Sequence, residues 1–294
     1  MIPSQAYLQL HIAALLYGLS ALFGQALQVP PVVIVCGRGV FALAVLVPLC
    51  LWARGSPNHS AFPPLGAAGK VTLMLLGCAL AGHWVLFFMA IQAGGVAVAT
   101  LGFATFPVFT AVTERLVFGY PMGPKAWAII ALATLGLALV GPGADAGSAS
   151  LTGLAWGVLS GAVYAGIAIA NKRLNIQAHG FTLSLWQMLG IVLATLPFVG
   201  GQWAGVTPMG WLLLAGLGVL CTGLAYTLFI GSLQHVSANT AAVVIALEPV
   251  YAIAGAWLLF GNRPTLAMAA GGALILGAVA WASHSPGKPV AGSL

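Results

Sequence analysis

From Leu8 onward the chain is a series of apolar runs of similar length. Short stretches carrying Gly, Pro, Asn and most of the charges divide them. A helix rising about 1.5 Å per residue needs about 20 apolar residues to cross a hydrocarbon core. Cutting at the charges and at the Gly/Pro/Asn clusters predicts ten membrane spans. They lie near 8–27, 33–53, 68–91, 96–118, 124–142, 151–172, 180–200, 208–231, 238–260 and 264–283. No connection is long enough for a soluble domain, and the longest, RGSPNHSAFPPLGAAGK (Arg54 to Lys70), reads as plain loop. The tail HSPGKPVAGSL, 284–294, is expected to be disordered and cytoplasmic.

Ten crossings place both termini on one side. With that side as cytoplasm, the inner connections collect Arg54, Lys70, Lys125, Lys172, Arg173 and Lys288. The outer ones hold Arg263 and Asp145. Excess Lys and Arg marks cytoplasmic loops, which predicts an N-in, C-in protein. Composition agrees: 61% of residues are apolar and 4% charged, against about a quarter in soluble domains. The net charge of +6 sits in connections, so it reads as an orientation signal and not as a nucleic-acid footprint. No basic region followed by a short apolar core and a cleavage site suggests a removed signal peptide. Cys36, Cys50, Cys78 and Cys221 lie in apolar runs without metal-ligand spacing, and are expected to pack as small hydrophobes with no metal.

The chain reads as one unit written twice. At a shift of 142 residues, LFFMAIQAGGVAVATLGFATFPVFTAVTERLVFG from Leu86 aligns with LFIGSLQHVSANTAAVVIALEPVYAIAGAWLLFG from Leu228. Ten of the 34 pairs are identical, including Gln92/Gln234, Pro107/Pro249 and Gly119/Gly261. Chance would give about three or four in so narrow a composition, so a repeat is indicated. A longer shift matches Pro48 with Pro197 and Arg38 with Gln187. The expected division is 1–142, 143–283 and the tail. Five spans per copy is an odd number, so the second copy must enter the membrane inverted. Inverted repeats build secondary transporters, whose substrate site lies at mid-bilayer between the halves.

Two five-helix repeats, a proline followed by LVFG or LLFG closing the fourth helix of each, and Glu248-Pro249 in the second copy resemble the EamA family of the drug/metabolite transporter superfamily. The resemblance covers nearly the whole chain and is greatest to bacterial aromatic amino acid exporters. It implies an all-α integral membrane protein of ten helices in two inverted repeats, located in the bacterial inner membrane. It further implies export of small metabolites. Family repeats carry a glutamate just after the glycine that closes the fourth helix, whereas this chain has Tyr120 and Asn262 there. That acid's role is therefore not carried over.

Several residues stand at depths that normally exclude them. Pro107 and Pro249 each remove a backbone donor within a predicted span and should kink it, freeing the carbonyls of Phe103 and Ile245. Glu248 has Phe106 as its counterpart, so symmetry does not require the acid. An acid at mid-bilayer costs roughly 2.5–3.5 kcal/mol on insertion scales and faces the bundle interior. Three roles stay open for it: a hydrogen bond at a helix junction, a partner for a substrate ammonium, or a proton-coupling group. Tyr17, Tyr164, Trp84 and Tyr226 also lie at depth and form two repeat-related pairs. Either they pack between helices, or they form a cage for an aromatic or cationic ligand. His83 and Gln25 are polar groups at usable depth. Arg38 can snorkel outward or anchor a substrate carboxylate. Asn171, Lys172 and Arg173 are expected to cap helix 6, and Gly153, Gly157 and Gly161 to form a close-packing face within the monomer.

A carrier of aromatic or other bulky neutral amino acids, working by alternating access with or without protons, fits these features. The expected partners are the substrate, the lipid bilayer and, if transport is coupled, protons, and the protein is expected to be a monomer. Without a G-x-x-x-x-G-K-[ST] loop, direct use of ATP is not expected, nor is any cofactor. An enzyme would need a nucleophile–base pair or clustered ligands, and the chain has only three acidic residues. A channel is the other alternative, and saturable counterflow separates it from a carrier. Phosphate-bearing substrates would need cations at depth, where Arg38 stands alone. The small multidrug exporters place an acid in their first helix, and this chain has none there, which speaks against that mechanism; export of other metabolites or of drug-like cations stays open as an alternative.

Overall fold

In the computed structural model, the described residues are 3–54, 65–119, 122–143, 148–174, 180–233, 244–245 and 247–283. They are helical apart from short connections. The chain runs through α1 (Pro3–Ala26), α2 (Pro31–Arg54), α3 (Ala67–Phe103), α4 (Phe106–Phe118), α5 (Pro124–Gly143), α6 (Ser148–Leu174) and α7 (Gly180–Val199). A 3₁₀ turn, Gly200–Gly205, then leads into α8 (Pro208–Gly218). A π-helical turn, Val219–Leu224, joins α8 to α9 (Ala225–Leu233). α10 (Glu248–Phe260) and α11 (Leu266–Ser283) complete it. Among the described residues, six segments are long and apolar enough to cross a membrane. Shorter apolar helices are Pro124–Val140, Glu248–Phe260 and Leu266–Trp281. This is a multi-pass membrane protein. The predicted tail, Lys288, Asp145, Gln234 and the start of the span at 238 lie outside the described residues.

Local chemistry explains the helix ends. Pro31, Pro124 and Pro208 open their helices, where a missing N–H is an orphan anyway. The Thr207 hydroxyl caps α8 by accepting from the Gly210 N–H at 3.0 Å. α4 and α10 both stop at a left-handed glycine, Gly119 (φ 70°) and Gly261 (φ 71°).

α3 is two arms. Gly95 has φ 78° and ψ 172°, a conformation essentially reserved for glycine, and the chain reverses there. The contacts with α6 show the reversal. Ser160 meets His83 while Gly153 meets Ala90, so the first arm runs antiparallel to α6. Gly157 meets Ala99 and Gly161 meets Phe103, so the second arm runs parallel to it. The glycine face of α6 is thus spent on close packing inside this chain. A second close crossing joins α3 to α7. A methyl group on Gly77 would strike the Gln187 carbonyl, and one on Gly190 would strike the Met74 carbonyl.

The prolines behave differently from the expectation of a bend within a continuous helix. Each stands in the first turn of a new short helix, α4 or α10, after a break at Ala104–Thr105 or at Leu247. The chain interrupts the helix before the proline, so the ring never meets a carbonyl one turn back. α4 and α10 have the same length and are related by the 142-residue shift.

The largest apolar core packs the later half of α1, the start of α2, the end of the first α3 arm, α7 and α8. It lies toward the end of the bundle that carries the α1–α2 connection and the reversal at Gly95. The Gln92 side chain strengthens this end by donating to the Val29 carbonyl at 2.9 Å.

Candidate functional site

A cavity of about 800 Å³ occupies the interior, reached by residues from both halves of the chain. Tyr17, His83, Trp84, Tyr164, Tyr226 and Glu248 all line it, as do Arg38 and both prolines. Gln25 does not. It lies eight residues beyond Tyr17 on α1, about 12 Å along the axis and turned to another side. The expectation that Gln25 reaches a shared cavity is thus corrected, because depth in the bilayer says nothing of azimuth. At its far end the cavity reaches Glu114, Lys125 and Asn171, near the end of α4, the start of α5 and the end of α6.

Arg38 does not snorkel. It is 5% exposed and held from three directions. Its Nε donates to Thr222 Oγ1 at 2.6 Å, Nη1 to Ser20 Oγ at 3.2 Å and Nη2 to the Cys221 carbonyl at 3.4 Å. The Trp84 ring lies 3.7 Å from the guanidinium carbon, a cation–π contact. Thr222 and Cys221 sit in the π-helical turn of the α8–α9 segment, and the Thr222 hydroxyl donates to Leu217 five residues back. π-turns of this kind occur where a helix presents groups to a site.

His83 is clamped to α6. With the ring proton on Nδ1, it donates to the Ser160 carbonyl at 3.0 Å, while the Ser160 hydroxyl donates to the His83 carbonyl at 3.1 Å. Ser160 is wholly buried and does not line the cavity, so the pair fastens α3 to α6. The ring of His83 then joins an aromatic group: it lies 5.1 Å from Tyr164 and 5.2 Å from Phe103. Phe103 stacks on Phe106 at 5.5 Å, and Phe106 meets Tyr164 edge-on at 5.4 Å. On the other wall, Phe229 touches Tyr17 and Tyr226 at 6.3 and 6.5 Å. Asn171, expected as a helix cap, lies within α6, and its Oδ1 accepts from Gln187 Nε2 at 3.2 Å.

Glu248 opens α10 and Phe106 opens α4, and both line the cavity. Two interrupted helices, related by the repeat, thus break against one interior space. Glu248 has no hydrogen-bond or ion-pair partner among the described residues. Sequence reasoning missed Phe103, Phe106, Ser20, Thr222 and Gln187 as cavity residues. For Phe106 and Gln187 a signal existed, since they are the repeat mates of Glu248 and Arg38. Among the described residues no group of His, Cys, Asp and Glu could hold a metal ion.

The EamA-like transporter family matches residues 4–141 and 151–283. The chain belongs to that family. It is a membrane transporter, and family members are transporters rather than enzymes. An "Uncharacterized transporter YxxF" of Bacillus subtilis (strain 168) is 25% identical over 285 residues, spanning 94% of this chain and 89% of that protein. An "Uncharacterized transporter" of Archaeoglobus fulgidus is 26% identical over 251 residues, spanning 83% and 84%. A crystal structure superposes with a TM-score of 0.62 over 95% of this chain and 96% of its own, at 22% identity, which speaks to the fold alone.

Proposed function

We propose that this EamA-family protein is a secondary transporter exporting small amphipathic metabolites, chiefly aromatic or other bulky neutral amino acids, across the bacterial inner membrane. In this reading ten spans form two inverted five-helix repeats with both termini inside. The second arm of α3 with α4 makes the fourth span, and α10 completes the ninth. The observation that carries the reading is the convergence of the α4 and α10 breaks on one cavity. Interrupted helices in corresponding positions of two halves are where carriers place their substrate.

The cavity's chemistry supports the substrate class. Phe103, Phe106, Tyr164 and His83 offer apolar ring faces, while Arg38 and Glu248 offer opposite charges to a zwitterion. With both termini inside, as the excess of Lys and Arg in the inner connections supports, Lys125 and Asn171 fall at the cytoplasmic end; the cavity then faces inward and the large core lies toward the outer end. Alternating access follows as one half rocks against the other.

The test is efflux of radiolabelled Phe, Tyr, Trp, Met and Thr from proteoliposomes, with and without a pH gradient. Saturable counterflow of the aromatic amino acids is expected, and a response to the gradient would assign proton coupling. Flux that never saturates would make the protein a channel, and absence of aromatic flux would reject the substrate class.

A further inference from the structure

The fold fixes the Arg38 guanidinium through hydrogen bonds to uncharged groups. Its three acceptors are two hydroxyls and one carbonyl, none of them ionised. It has no ion-pair partner among the described residues, although Glu248 lines the same cavity. A guanidinium carries five N–H donors, and three are used. One N–H remains on each terminal nitrogen, the number that a two-pronged carboxylate contact takes. Trp84 covers one face of the group, which leaves the donor edge for a ligand to approach in plane. As a mere fastener between α1, α2 and the π-helical turn, a neutral donor would serve as well, and would avoid holding a charge inside a membrane.

We propose that Arg38 is the residue by which this transporter reads a substrate carboxylate, and that Thr222, in its π-helical turn, is the positioning residue that aims it. The site would take molecules with an aromatic body and a carboxylate, and discriminate against their decarboxylated counterparts. Its repeat mate Gln187 is neutral and donates to Asn171 instead, so only one pole of the cavity is cationic at this depth and the substrate has one orientation. This rests on the reading of the cavity as the substrate site.

The experiment measures binding by calorimetry to the purified full-length protein, with 3-phenylpropionate and phenethylamine as probes. Wild type should bind 3-phenylpropionate saturably, and R38Q should bind it roughly 10- to 100-fold more weakly. Phenethylamine affinity should hold or rise in R38Q, because a cation has left the cavity. R38K keeps the charge but loses the fork, so it should fall between the two, and serves if R38Q does not fold. T222V should lose part of the carboxylate affinity and none of the amine affinity. K70Q, which removes a cation outside the cavity, should leave 3-phenylpropionate binding intact. Equal losses for both probes, unchanged carboxylate binding in R38Q, no binding by wild type, or equal competition by inorganic sulfate would each overturn the proposal. Carboxylate binding that depends on Arg38, without amino acid export, would sink the transport reading alone.

Discussion

Gly190→Ala adds one methyl group to the crossing of α3 and α7, where it meets the Met74 backbone carbonyl. An ordinary carbon–oxygen contact needs about 3.3–3.6 Å, so the two helices must part by on the order of 1 Å. A backbone carbonyl inside a helix cannot swing aside as a side chain can. A radial gap of that size forfeits a quarter to a half of each dispersion contact along the crossing. The expected loss is about 1–3 kcal/mol, the usual range for overpacking. Gly77→Ala makes the reciprocal clash, with the Gln187 carbonyl one helical turn before Gly190. Parting the helices for one methyl makes room for the other, so the double variant should cost less than the two single losses together. Thermal unfolding in detergent, followed by size exclusion, should fall by on the order of 5 °C for each single change. Gly82→Ala is the control on the same helix: nothing stands within 4 Å of its new methyl, and stability should hold or rise. If Gly190→Ala melts with Gly82→Ala, the close crossing does not exist as described. Because α7 also carries Gln187 into the cavity, transport should fall along with stability.

Three further outcomes follow. Gly95→Ala puts a side chain at φ 78°, ψ 172°, and should cost about 1–3 kcal/mol in the same melting assay; a neutral result would refute the reversal between the α3 arms. Glu248→Gln should lower phenylalanine counterflow by about tenfold through loss of a charged partner. Preserved counterflow with a preserved response to a pH gradient would remove both the ammonium and the proton roles. Ser160→Ala removes the hydroxyl that the His83 carbonyl accepts from, and should cost about 1–3 kcal/mol, read as a lower melting temperature.

Much of this site was visible in the sequence because the membrane makes polar and aromatic residues conspicuous. Tyr17, His83, Trp84, Tyr164, Tyr226, Arg38 and Glu248 all lie at depths where lipid would reject them, and all line one cavity. Gln25 passed the same depth test and lies elsewhere, because depth fixes height in the bilayer but leaves the direction around the helix open. The side chains of Phe103 and Phe106 do not stand out in the sequence as cavity walls, since phenylalanine is ordinary in an apolar span, although Phe106 is marked as the repeat mate of Glu248. Pro107 and Pro249 announced interruptions, yet whether each would bend a helix or begin a new one depended on what the preceding residues packed against.

Composition and periodicity alone determined that this is a multi-pass helical membrane protein, because no such chain can keep its surface wet. Internal similarity at a shift of 142 residues paired Glu248 with Phe106, and a longer shift paired Arg38 with Gln187. Only the tertiary structure decided that Arg38 lies under Trp84 and is gripped by Ser20 and Thr222, and that His83 is clasped by Ser160. Those contacts join residues from distant helices, and their rotation about each axis is set by how glycines let backbones approach. That information belongs to pairs of surfaces and to no single stretch of chain.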